Sequence, residues 1–313
     1  MGGSGELTDL KITFLGTGAS IPTPKRGLSA VAVRRKNELI LFDCGEGTQR
    51  QMITAGVGFH KKTKVFVTHM HGDHVLGLPG LLQTMSLLGR KEKLEIYGPK
   101  GIKDFVEAIN RTVTFTLTFP VQVSEKEPGM ICEEKDYTVT AVQSVHMNPS
   151  LIYALTEKPR PGIFHTEKAK QLGVPEGPLW SKLQSGKQVK LPDGRIVEPE
   201  MVLGASRHGR KIVYTGDAGP SENLVRLAEN ADLLIHEATF EDAMKERAME
   251  DGHSTPSMAA ETAKKAGVKR LILTHISARY KNADKLLQQA KQIFDNTELA
   301  EDFLELELPL QED

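Results

Sequence analysis

Cysteine and aromatic residues are scarce in this chain of 313 residues. Two cysteines, Cys44 and Cys132, stand alone, and Trp180 is the one tryptophan. Two cysteines are too few for a disulfide framework and follow no C-x-x-C spacing, so they read as free thiols, which favours a reducing compartment. An excess of one charge is also lacking. Lys+Arg at 40 against Asp+Glu at 41 gives a net charge of −1, so the bulk balance announces neither a nucleic-acid nor a membrane partner, and only a local basic patch stays open. No apolar run approaches the roughly 18 residues that span a bilayer. The opening MGGSGELTDL is small and polar rather than a basic run followed by an apolar one, so a cytoplasmic protein is expected. Hydrophobic residues at 39% suffice to bury a sizeable core. Neither a solenoid repeat nor a low-complexity tract breaks the chain.

Histidine, in contrast, is concentrated. The stretch THMHGDH, Thr68 to His74, holds three of the ten histidines and an aspartate. It follows the apolar run KVFVT. Four more such runs end on a residue able to bind a cation: YTVTAVQSV before His146, KIVYTG before Asp217, ADLLI before His236 and RLILT before His275. Their length and Val, Ile and Tyr content suit buried strands, and functional side chains at strand ends are a common way to build a site on a rigid sheet. Helical patterns lie between them, at Leu78 to Leu88, Lys100 to Asn110, Ser221 to Ala231, Thr255 to Gly267 and Ala283 to Phe294. The fourth carries Thr255 as N-cap, Pro256 at the first helical position and Gly267 as stop. Strands and helices in alternation argue for layered sheets with helices outside.

From about Pro149 to Pro199 the rhythm breaks into a Pro-, Gly- and Lys-rich segment containing Trp180. An insertion of this length in a compact domain usually has a job, so it reads as a protruding arm with one short helix from Thr166 to Leu172. The plain alternative is a surface elaboration without a partner.

Imidazoles and carboxylates suit zinc, and an H-x-H-x-D-H spacing can direct ligands at two centres. His146, Asp217 and His275, each unremarkable alone, complete two sites. His69, His71 and His146 hold one ion, Asp73, His74 and His275 the other, and Asp217 bridges them. Two such ions, roughly 3.5 to 4 Å apart, bring the pKa of a water near neutrality, and the expected chemistry is hydrolysis.

This ligand order resembles the metallo-β-lactamase superfamily. The resemblance implies an α+β fold, a four-layer αββα sandwich with the metals at one edge, formed by residues 1–313 as a single domain with 150–199 inserted as the arm. Within the superfamily, FLGTGAS, LFDCGEGTQRQM, THMHGDHVLGLPGLL, YGPKGI, TGD, HEATF, HST and LTHISARY are similar to the motifs of short-form RNase Z, the tRNA 3′-processing endoribonucleases. HEATF and HST discriminate, because other branches generally lack them. The match runs from about residue 11 to the end.

That family implies two zinc ions per subunit, precursor tRNA as substrate, a homodimer using the helix from Leu78, no membrane, and a cut near the discriminator base leaving a 3′-hydroxyl on the tRNA and a 5′-phosphate on the trailer. Asp73 then takes the water's proton, His253 gives one to the departing oxygen, and Glu237 orients His253. His253 at a helix entrance and Glu237 at a strand end could equally be structural. His236 is expected to be structural or to sit behind the ligands, while His60, His165 and His208 fall outside any motif. The arm implies tRNA contacts through Lys168, Lys170, Lys182, Lys187 and Lys190, with Trp180 packed in the arm's own core. Arg26 and Lys25 in the loop after the first strand, and Arg279 near the last ligand, are further phosphate candidates. The chain reads PTPKRGLSA where many members have an Arg-Asn pair, which leaves discrimination against CCA-bearing tRNA open. The rival readings are another hydrolase of this fold, such as a phosphodiesterase, lactonase or arylsulfatase-like esterase, and a metal-free RNA-binding protein.

Overall fold

Strand alternation builds the core of this protein, whose computed structural model describes residues 10–59 and 62–310. In the strand Glu38–Phe42, Ile40 and Phe42 face one apolar cluster while Leu39 and Leu41 face another. Period-2 geometry sends neighbouring side chains to opposite faces, so a strand buried on both faces must be apolar throughout. Two seven-stranded sheets arise this way. The first runs, in spatial order, Glu305–Glu307, Leu10–Gly16, Ala30–Arg35, Glu38–Phe42, Lys62–Phe66, Leu94–Gly98 and Val121–Glu125. The second runs Thr297–Leu299, Leu271–Thr274, Leu233–Glu237, Lys211–Tyr214, Leu151–Glu157, Tyr137–Gln143 and Gly129–Glu133.

Between the sheets lies a cluster drawing Ile12, Phe14, Val33 and Phe42 from one and Tyr137, Tyr153, Ile212 and Ile235 from the other. The helices Leu78–Leu87 and Ile102–Thr112 cover the outer face of the first sheet. Glu222–Ala228, Pro256–Ala266 and Asp284–Lys291 cover that of the second. The fold is therefore the expected αββα sandwich. Thr255 caps Pro256–Ala266 by accepting from Met258 N, and Gly267 ends it at φ 64°. Among the described residues no helix is long and apolar enough to cross a membrane.

The strands Glu38–Phe42, Lys62–Phe66, Leu94–Gly98 and Val121–Glu125 are mutually parallel, as are Lys211–Tyr214, Leu233–Glu237, Leu271–Thr274 and Thr297–Leu299. Loops at the carboxyl ends of parallel strands are where open α/β sheets place their ligands. Asp43, His69, Asp217 and His275 follow such ends directly or within three residues.

The arm differs from expectation in two respects. Its compact unit is chiefly Glu157–Arg210 rather than 150–199, because Leu151–Glu157 belongs to the second sheet and the chain rejoins that sheet only at Lys211. It also contains two helices, Thr166–Gln171 and Pro178–Gln184, and a hairpin of Val189–Lys190 with Ile196–Val197. This unit has its own core of Ala169, Val174, Leu183, Val189, Leu191, Val197 and Val202. Trp180 packs there, 5.3 Å from the Phe164 ring, and donates to Val174 O. Arg210 makes a buried bidentate pair with Glu157 at 2.7 and 2.8 Å. The opening MGGSG and His60 lie outside the described residues.

Candidate metal centre

After Lys62–Phe66 the chain continues extended through Thr68 and His69, then turns at His71 into the one-turn helix Gly72–Val75 that carries Asp73 and His74. His146 follows Tyr137–Gln143. His275 follows Leu271–Thr274 with φ 57°, a left-handed conformation that a non-glycine residue adopts at a cost and that aims its ring. Gly216 has no alternative. At φ 55°, a Cβ there would lie 2.7 Å from Thr68, so glycine alone lets Asp217 approach the histidine loop.

All seven predicted ligands meet. His69, His71, His146 and Asp217 form one group with donor atoms within 4.8 Å of one another, and Asp73, His74 and His275 form a second. Asp217 divides its oxygens between the two. Its Oδ2 lies 3.5 Å from His69 Nε2 and 3.7 Å from His146 Nε2. Its Oδ1 lies 3.3 Å from His74 Nε2 and 3.1 Å from His275 Nε2. Asp73 Oδ2 lies 3.4 Å from His275 Nε2 and 3.6 Å from His74 Nε2, and accepts from Ser20 N at 2.8 Å. Among the described residues Asp73 Oδ1 takes no such contact, which leaves it free to accept a proton.

The far ring nitrogens fix the tautomers. His74 Nδ1 donates to Asp43 Oδ2 at 2.7 Å, and His146 Nδ1 donates to the carbonyl of Asp251 at 3.1 Å. Thr68 Oγ1 gives its proton to Asp43, so the 3.0 Å contact with His69 has Nδ1 donating. Thr239 Oγ1 likewise donates to Glu237 Oε2 at 2.5 Å, so at 2.9 Å His275 Nδ1 donates to Thr239. Each of these four rings therefore turns an Nε2 lone pair toward carboxylate oxygens. His69 Nε2, His74 Nε2 and Asp217 Oδ1 are buried with no hydrogen-bond partner. Lone pairs so converged need a cation, and this nitrogen and oxygen donor set suits zinc. Without one the cluster holds protons instead. Burial opposes charge on His74, but Asp217 and Asp43 raise it well above the usual imidazole range. Burial and the His74 charge push His69 well below. Burial raises Asp217, yet His275 and His74 bring it well below the carboxylate range. Cation binding must displace those protons.

His253 stands beside this centre, its ring 4.7 Å from that of His146. Its Nδ1 donates to Glu237 Oε1 at 2.8 Å, and the fully buried Glu237 also accepts from Ala218 N. Burial lowers the His253 pKa, but Glu237 overrides it and lifts the group to about 9. The imidazolium thus predominates at neutral pH. His236 is buried, its Nδ1 donating to Glu237 O at 2.8 Å.

The phosphate candidates divide. Lys168, Lys182 and Lys187 are exposed, whereas Lys170 pairs with Glu167 and Glu176 at 3.5 and 3.4 Å. Arg279 is exposed, with its guanidinium 4.9 Å over the Phe240 ring. Arg26 is half-buried, and its Nη1 donates to Thr17 Oγ1 and Ala300 O at 2.6 and 2.7 Å, which fastens the loop after the first strand. Asp43, Thr68, Thr239 and Ser20 carry no signal of their roles in sequence beyond ELILF before Asp43, one more apolar run ending on a polar residue.

Residues 10–158 match the family model of the anti-Pycsar protein Apyc1, and residues 191–276 that of the beta-lactamase superfamily domain. The chain is 50% identical over 301 residues to a ribonuclease Z of Methanosarcina acetivorans, covering 96% of this chain and 98% of the relative. Against the ribonuclease Z of Methanosarcina mazei it is 50% identical over 305 residues, 97% of this chain and 100% of the relative. Among solved structures, the short form of human tRNase Z superposes with a TM-score of 0.69 at 34% identity, covering 96% of this chain and 100% of that one.

Proposed function

The chain belongs to the ribonuclease Z family, and from that premise we propose that it is the metal-dependent endoribonuclease that removes the 3′ trailer from tRNA precursors. The observation that carries the reading is the pairing of near full-length identity with two convergent ligand groups shared across Asp217. The working metal is two zinc ions per subunit, one held by His69, His71 and His146, the other by Asp73, His74 and His275. Zinc bound there would supply charge neutralisation at the scissile phosphate and acidify the attacking water.

The chain's own groups do the rest. Asp73, fixed through Oδ2 by Ser20 N, accepts the water's proton on Oδ1. His253, held as imidazolium by Glu237, donates a proton to the departing 3′ oxygen. The tRNA then leaves with a 3′-hydroxyl and the trailer with a 5′-phosphate. Lys168, Lys182 and Lys187, exposed on the arm, contact tRNA phosphates, and Arg279 serves beside the last ligand. Two free cysteines support a cytoplasmic setting.

The protein also works as a homodimer in this reading. Leu87 and Leu88, 81% and 64% exposed at the end of Leu78–Leu87, support an interface there, while the opposite face of that helix is core. Sedimentation at working concentration should give twice the chain mass, and a monomer would remove the dimer alone. The functional reading is tested by mapping the ends left on a 3′-extended tRNA precursor. A 3′-hydroxyl next to the discriminator base supports it, whereas a 2′,3′-cyclic phosphate or a distant cut refutes it.

A further inference from the structure

Glu237 collects more donors than one histidine needs. Its Oε1 accepts from His253 Nδ1 and Ala218 N, both at 2.8 Å, and its Oε2 accepts from Thr239 N and Thr239 Oγ1 at 3.2 and 2.5 Å. Four donors fill the four lone-pair positions of a carboxylate, so this buried group can neither turn nor take another partner. Thr239 supplies half of that anchoring. It stands two residues after the strand Leu233–Glu237, where Ala238 N donates to Thr274 O at 2.9 Å and so ties the chain to the residue before His275. Its side chain is buried as well.

A hydroxyl carries one proton and two lone pairs. Two acceptors compete for the proton of Thr239, Glu237 Oε2 at 2.5 Å and His275 O at 3.3 Å, and the nearer, charged one takes it. The lone pairs then face His275 Nδ1 at 2.9 Å and His253 Nδ1 at 3.4 Å. His253 gives its proton to Glu237 over the shorter distance of 2.8 Å, so the hydroxyl receives from His275 alone.

One directed chain results. His275 Nδ1 donates to Thr239, Thr239 donates to Glu237, and His253 Nδ1 donates to the other oxygen of the same carboxylate. The rings at its two ends are stacked, with centroids 5.9 Å apart and planes at 18°. Both rings commit Nδ1 to the chain, which leaves Nε2 of each for other work, as a lone pair on His275 and a proton on His253. Threonine is a narrow choice here. Valine has the shape but no hydroxyl, and serine has the hydroxyl without the β-branch that restricts its rotamer.

We infer that Thr239 is a positioning residue for two parts of the reaction at once, orienting His275 to hold an ion and, through Glu237, orienting His253 toward the departing 3′ oxygen. The second part rests on the tRNA-precursor reading, and the first stands on the ligand geometry. In the step concerned, the bond from phosphorus to the 3′ oxygen breaks, the oxygen keeps the electron pair, and His253 Nε2 gives it a proton. Thr239 acts on that step only through the two rings.

Removing a merely structural hydroxyl would lower every readout together, whereas removing a pivot between two rings leaves a divided signature. The test uses the full-length, zinc-loaded protein and two tRNA precursors that differ only at the scissile linkage, one with the natural 3′ oxygen and one with sulfur in its place. A 3′ thiolate departs without needing a proton. With zinc in excess, Thr239→Val should lower kcat on the oxygen linkage by about 10² at a KM within about twofold, and should come within about threefold of wild type on the sulfur linkage. Without excess zinc, a competing chelator should strip Thr239→Val at about 10- to 100-fold lower concentration than wild type. Thr239→Ser should restore both readouts. Thr239→Ala should repeat the valine pattern, which covers a valine variant that does not fold. Equal losses on the two linkages, or a serine variant no better than valine, overturn the inference. A wild type that cuts neither precursor overturns the functional reading, and unchanged chelator competition in Thr239→Val then overturns the part that concerns His275.

Discussion

A histidine here becomes a ligand through what its other nitrogen does. Asp43 accepts from Thr68 N, Thr68 Oγ1, Tyr214 OH and His74 Nδ1, so one buried carboxylate sets the tautomer of His74 directly and that of His69 through Thr68. Removing such a partner usually costs metal affinity 10- to 100-fold. Asp43→Ala should therefore release zinc to a competing chelator at about 10- to 100-fold lower chelator concentration, and unchanged competition would deny Asp43 that role. Glu237→Gln should leave precursor KM within about twofold and lower kcat by about 10² or more, because His253 loses the charge that keeps it a proton donor. A variant with normal kcat would make the pair structural. The ligands were legible because three histidines in one short stretch are conspicuous in a chain with ten. Asp43 and Thr239 were not, since a lone Asp or Thr beside a strand is common and only the fold shows four donors meeting on one carboxylate.

At the scale of elements, the strand Lys62–Phe66 carries a second, partly buried charge set that the chemistry does not use. Lys64, 1% exposed, meets Glu95 Oε2 at 2.5 Å, Glu134 Oε1 at 2.9 Å and Glu38 Oε1 at 3.6 Å. Burial opposes ionisation, yet Lys64 holds Glu95 and Glu134 below the usual carboxylate range, and they hold Lys64 above the usual lysine range. The lowered carboxylates contribute stability that is present above about pH 4.3 and lost as the pH falls through their folded values. The raised lysine contributes below about pH 10.4 and loses its share only in strong alkali. Lys64→Met should cost about 1 kcal/mol at pH 7, because Lys62 and Lys93 still pair with Glu38, Glu134 and Glu95, and less at about pH 2, where those carboxylates take up protons. Denaturant melts at both values check this, and an equal loss at both would refute it. Sequence periodicity locates five of the strands and five of the helices, because burial on two faces or one writes a clear pattern, while strands such as Ala30–Arg35 and Leu94–Gly98 end on no residue able to bind a cation that would draw notice. The arm's second helix escaped because Pro178–Gln184 spans two turns and starts in a run of Pro and Gly. Pro178 at the first turn was itself the start signal.

For the whole molecule, the arm's separateness is what can be tested. Thr156 and Lys211 are opposed in neighbouring antiparallel strands, so the Glu157–Arg210 unit begins and ends at one place. Replacing residues 157–210 by an Asn-Gly turn should leave a hairpin that closes normally. The shortened protein should keep hydrolysis of a small phosphodiester and lose most cleavage of precursor tRNA, seen as a rise in KM. Undiminished cleavage of the precursor would make the arm an elaboration without a partner. The boundary itself was invisible in composition, because Leu151–Glu157 continues the sheet while the Pro- and Lys-rich character begins nearby. The central claim is that the chain cuts the precursor only with metal held by the ligands that meet around Asp217. Its most direct test is to strip the protein with a chelator and restore zinc in steps while following cleavage of a 3′-extended tRNA precursor. The account predicts no cut in the stripped protein and full activity at two equivalents per chain. Cleavage that survives chelation, or that zinc never restores in a folded protein, would contradict it.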